Sequence, residues 1–118
     1  MIRVRPVDSE TVFDFELNPM KGEAAFIAYH GESTECAGYC VYTKGLDTVK
    51  LLRLETLPHD IEVADMLVRS ILAVCEDTAR WAVCSDDPQL QEYREFCRRF
   101  IHEGGKAEIS SFFGGCCG

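Results

Sequence analysis

The chain has 118 residues, a formal net charge of −8 and seven cysteines. Such a length suits one domain, which buries roughly two thirds of its unfolded surface. The acidic balance argues against a general nucleic-acid binder, which would show a basic face, and it provides no long-range attraction for an anionic cofactor. No apolar run reaches the length of a bilayer span. The start, Met1-Ile2-Arg3-Val4-Arg5-Pro6, is charged and alternating, without the apolar core of a signal peptide. A soluble, cytoplasmic protein is expected, with no nucleic acid and no membrane among its partners. The odd cysteine count fits reduced thiols, most of them acting as small buried hydrophobes.

In chain order, residues 2–7 alternate and read as a first strand. Asp8-Ser9-Glu10 offers a helix start, Val12, Phe13 and Leu17 give it one apolar side, and Asn18-Pro19 ends it after about two to three turns. Residues 24–30 and 36–43, joined by a polar turn, read as an antiparallel hairpin. Residues 48–57 form a fourth, strongly apolar strand stopped by Pro58. The longest helix is predicted from Asp60 to about Thr78, because Ile61, Ala64, Leu67, Val68, Ile71, Leu72 and Cys75 recur at helical spacing. A short strand at 81–84 follows so closely that a right-handed parallel crossover is expected.

Asp86-Asp87-Pro88 then opens a second helix, with an aspartate cap and a proline in the first turn. Leu90, Tyr93, Phe96, Cys97, Phe100 and Ile101 make its apolar stripe, and Gly104-Gly105 is expected to end it. Residues 106–113 are predicted as a last strand. The domain is expected to span 1–113, with a flexible Gly/Cys tail at 114–118.

The order is α+β, with a parallel step in the middle. It resembles the GNAT superfamily of N-acetyltransferases over nearly the whole chain, in pattern rather than in strict motifs. The resemblance implies an acyl-CoA N-acyltransferase fold: a mixed, mostly antiparallel sheet with helices on both faces and one central parallel pair. Acetyl-CoA would lie between the splayed fourth and fifth strands. The turn after the fourth strand would carry Gln/Arg-x-x-Gly-x-Gly/Ala and hold the pyrophosphate on backbone amides at a helix N-terminus. Here that stretch reads His59-Asp60-Ile61-Glu62-Val63-Ala64. Only Ala64 fits the pattern. His59 replaces Gln or Arg, and Glu62 replaces the first glycine, where a side chain obstructs close approach.

Asp60, Glu62 and Asp65 are three carboxylates in or beside that turn. Each favours the helix by about 0.3–1 kcal/mol through its dipole, but repels a phosphate about 4 Å away by about 1–4 kcal/mol. The turn is therefore expected to stabilise its own helix, with carboxylates where a phosphate would sit. The resemblance also implies a tyrosine acid on the second helix, which Tyr93 matches by spacing, although Cys97-Arg98 replaces the Gly-Phe that follows in the family pattern. A core tyrosine is the competing reading. Glu55, near the end of the fourth strand, is the candidate base for deprotonating an amine, against an outward-facing residue on an alternating strand. Only one helix fits between the first two strands, and only one strand fits at the end, so the acceptor side is reduced.

Cys36 and Cys40 are expected on one side of the third strand, about 13 Å apart, too far to share a metal unless Gly38 makes a bulge. Cys116-Cys117, flanked by glycines, could serve a metal or thiol function, though no C-x-x-C pair supports one. Arg94, Arg98 and Arg99 form a small basic strip, read as a solvated face or a dock for an acidic partner. His30, His59 and His102 are scattered.

Three functions follow. The first is a non-catalytic binding module for a protein or small molecule, with weakened or lost acetyl-CoA binding and no cofactor. The second is an active acetyltransferase using acetyl-CoA on a small-molecule or peptide amine. The third is a thiol or metal role of the tail. An exposed sheet edge would permit a homodimer.

Overall fold

In the computed structural model, which describes residues 1–7 and 17–113, alternation and turn residues set the strands much as the sequence predicts. β1 (Ile2–Pro6), β2 (Glu23–His30), β3 (Cys36–Lys44) and β4 (Thr48–Thr56) pair antiparallel in succession. Then come α1 (Ile61–Cys75), β5 (Trp81–Cys84), α2 (Pro88–Cys97) and β6 (Ala107–Glu108). The six strands form one sheet in sequence order, with β5 parallel to β4. This is the expected mixed, mostly antiparallel sheet with one parallel pair. The helix predicted after β1 lies outside the described residues except at its end, and so does the 114–118 tail. No helix among the described residues is long and apolar enough to cross a membrane.

α1 forms because Val63, Ala64, Leu67, Val68, Ile71, Leu72 and Cys75 make one buried stripe. The stripe packs on Phe26, Ala28, Cys40, Val49 and Leu51 of the sheet, and Leu90 and Tyr93 of α2 join the same core. A smaller cluster of Leu17, Ala25 and Val41 covers the other face, with Tyr39 and Leu52 packed against it.

Two one-residue bulges decide which side chains meet. In β3 the register skips Ala37: Ala28 faces Gly38, and Tyr29 faces Cys36. Ala37 and Cys40 both enter the α1-side core, whereas Cys36 lies in the field of Glu55. The expectation that Cys36 and Cys40 share a side is therefore wrong, because an extra residue flips the face of everything beyond it. In β4 the register skips Leu52, between the Tyr42–Leu51 and Val41–Arg53 pairs. Leu51 and Leu54 both face α1, while Leu52 packs on the opposite cluster. Glu55 is thereby turned to the far face, where the Tyr39 hydroxyl donates to its Oε2 at 3.0 Å.

The C-terminal part departs further from the sequence reading. α2 stops at Cys97, where Arg98 takes the left-handed conformation (φ 55°) and donates its N–H to the Arg94 carbonyl. Phe96 and Ile101, expected in the stripe, are exposed by 54% and 78%. Gly104 and Gly105, both at positive φ, do not end the helix but make the tight turn between His102 and Lys106. The predicted last strand shrinks to Ala107–Glu108, followed by a 3-10 turn at Ile109–Phe112. Arg69 and Arg99 donate to the carbonyls of Phe112 and Ser111 and flank the Phe112 ring, so these carbonyls go to guanidiniums instead of a strand ladder.

Candidate functional site

The turn between β4 and α1 is capped by its own aspartate. Asp60 is extended (φ −154°, ψ 110°), and its Oδ1 accepts from the amides of Glu62 at 2.9 Å and Val63 at 3.4 Å. The Ala64 amide donates to the Asp60 carbonyl at 3.1 Å, and the Asp60 amide donates to Thr56 Oγ1 at 2.8 Å. The amides of Glu62, Val63 and Ala64 in the first turn of α1 thus have partners within the chain. Val63 and Ala64 point into the core, Ile61 packs at its margin, and Glu62 is exposed. His59 Nε2 lies 2.9 Å from Glu92 Oε2 of α2, with both side chains about half exposed. Removing the cap should register as stability. Asp60→Ala is expected to cost about 0.5–2 kcal/mol and Asp60→Gly only a few tenths, measured as shifts in the urea midpoint at constant slope.

β4 and β5 pair only from Thr48–Trp81 to Leu51–Cys84. Ser85 closes the joint by donating its amide to the Leu51 carbonyl at 2.9 Å and its hydroxyl to the Leu52 carbonyl at 2.6 Å. Beyond it β5 has ended, and the first turn of α2 stands against the rest of β4. Asp87 Oδ2 accepts from the Leu54 amide at 3.4 Å and from the Leu90 amide at 3.2 Å. Gln89 Oε1 accepts from the Thr56 amide at 3.2 Å. What remains is a cleft of about 220 Å³ whose polar lining includes Tyr39, Arg53, Glu55, Asp87 and Gln89.

Tyr93 is fully buried. Its hydroxyl donates to Asp65 Oδ1 at 2.7 Å, and Asp65 Oδ2 holds Arg69 Nε at 2.9 Å. Burial first, and then the bond to Asp65, push the phenol far above its ordinary range. Tyr93 and Glu55 lie on opposite faces of the sheet, so the two candidate catalytic residues are not brought together. The Cys84 thiol is pushed up to about 12 by burial and by Cys97 beside it, and burial also raises Cys40. Among the described residues no cluster of His, Cys, Asp or Glu could hold a metal. Cys116 and Cys117 lie outside the described residues. Arg99 is committed to the Phe112 segment and Arg98 ends α2, so the basic strip is divided.

No protein-family model matches the chain, and no curated protein matches it. Solved structures do. A GNAT family acetyltransferase from Elizabethkingia anophelis, solved with acetyl-CoA bound, superposes with a TM-score of 0.60 at 14% identity, over 80% of this chain and 74% of the other. A GNAT-family protein from Desulfovibrio desulfuricans gives 0.58 at 14% identity, over 84% and 83%. The chain has the GNAT fold. The resemblance expects a pyrophosphate turn at His59, Asp60, Ile61, Glu62, Val63 and Ala64. The residues present do not suit that group: the Glu62 and Val63 amides already hold the Asp60 carboxylate, and Glu62 stands beside them. Sequence reasoning placed the carboxylates in this turn. It missed Asp87 and Gln89 as partners of β4. Asp87 carried only the signal of a helix cap, and Gln89 carried none.

Proposed function

We propose that this chain is a non-catalytic binding module on a GNAT fold, with its acetyl-CoA seat closed by its own side chains. The observation that carries the reading is the Asp60 carboxylate on the amides of Glu62 and Val63. A pyrophosphate would have to displace that carboxylate and then sit near the exposed Glu62, against a repulsion of about 1–4 kcal/mol per close charge pair. The burial of Tyr93 supports the same reading, because its proton is donated to Asp65 and its hydroxyl faces the helices instead of the cleft. The ligand site of the module is the cleft beside Tyr39, Arg53 and Glu55, which suits a small polar ligand or a protruding side chain of a protein partner.

A second reading, an acetyltransferase acting on an amine, draws support from the Elizabethkingia anophelis neighbour, which holds acetyl-CoA on the same fold. Calorimetric titration separates the two. Acetyl-CoA added to the reduced wild-type protein is expected to give no saturable heat up to millimolar concentration. A dissociation constant in the micromolar range would overturn the module reading and restore acetyl-CoA as its ligand.

A further inference from the structure

We infer that the first turns of α2 have become a side-chain ladder that takes the place of a bound ligand along the unpaired half of β4. The inference rests on the closed-seat reading and extends it from the α1 turn to the whole splay. Two contacts reach amides of β4, and a third, between half-exposed side chains, follows beyond its end at Thr56; each joins residues 33 apart. Asp87 meets the Leu54 amide at 3.4 Å, Gln89 meets the Thr56 amide at 3.2 Å, and Glu92 meets His59 at 2.9 Å.

The geometry has a simple origin. Past Leu51 and Ser85, β4 has no strand on its β5 side among the described residues. The bulge at Leu52 sets Leu54 and Thr56 on the buried face. An exposed strand edge is a template for any extended chain that brings acceptors at strand spacing, and buried amides need partners. α2 supplies those acceptors from side chains. Asp87 serves twice, as cap of its own helix and as partner of Leu54. Gln89 Oε1 also lies 3.4 Å from Thr56 Oγ1, while the Asp60 amide donates to that same hydroxyl at 2.8 Å. The ladder at the splay and the cap on α1 therefore meet at Thr56 and form one continuous closure. An extended ligand would have to break both ends of it.

Residue-resolved amide exchange tests the ladder. Gln89→Ala leaves the α2 cap intact and removes one rung. Exchange at Thr56 should rise about fivefold, the equivalent of one ordinary hydrogen bond, while Val49 in the paired half of β4 stays unchanged. In the wild type, Leu54 and Thr56 should be protected with or without 1 mM acetyl-CoA. Exchange of Thr56 at the rate of an open chain in the wild type, or no change in Gln89→Ala, would overturn the ladder. Added protection at Leu54 and Thr56 from acetyl-CoA would instead overturn the closed-seat reading, and the two failures are told apart by which sample changes.

Discussion

Replacing Tyr93 by alanine is expected to remove about 3–5 kcal/mol of stability, the cost of emptying a fully buried aromatic site. A domain has about 5–15 kcal/mol in total, so the change removes a large share of it. Tyr93→Phe keeps the ring against Leu90 and Phe96 and loses only the bond to Asp65. It should cost about 1–2 kcal/mol, since Asp65 retains Arg69 at 2.9 Å. Urea denaturation of the two variants checks the ratio. A tyrosine serving mainly as an acid in an open site would give the opposite result, with small stability losses for both changes.

The second large effect is expected at Gly38. A Cβ placed there would lie 2.8 Å from the Glu55 carbonyl oxygen and 3.2 Å from the Thr56 Cα, both backbone atoms of β4. Neither can move without opening the β3–β4 pairing beside the bulge. Gly38→Ala is therefore expected to cost about 1–3 kcal/mol, as overpacking does elsewhere, with a melting temperature lower by about 4–8 °C for each kcal/mol. Gly45→Ala is the control. Its added Cβ would meet nothing closer than 3.4 Å, and its φ lies outside the left-handed region. A melting temperature equally low in both variants would mean that the close approach at Gly38 is not what the position requires.

The residues explain why some of this was legible in the sequence and some was not. The parallel β5 was legible because Trp81 to Cys84 is a four-residue apolar strand set close behind a long amphipathic helix. The cap of α2 was legible because Asp87 acts on an amide three residues away, whereas Asp60, read as the first residue of its helix, is the cap in front of it. The face of Glu55 was harder to read. It depends on the bulge at Leu52, which leaves no mark in an apolar run where either parity looks buried. The end of α2 was misread because Phe96, Phe100 and Ile101 keep helical spacing, yet Arg98 turns left-handed and only Phe100 returns to the core. The rungs at Leu54 and Thr56 were not legible at all. They join residues 33 apart and exist only once the sheet has closed.

The most direct measurement of the closed seat is an NMR titration of isotope-labelled, reduced protein with acetyl-CoA, followed at the amides of Glu62, Val63, Leu54 and Thr56. With Asp60 holding the first two, and Asp87 and Gln89 holding the others, these four signals should not move at millimolar acetyl-CoA. Saturable shifts of all four with a common micromolar midpoint would contradict the closure and identify the splay as a working cofactor site.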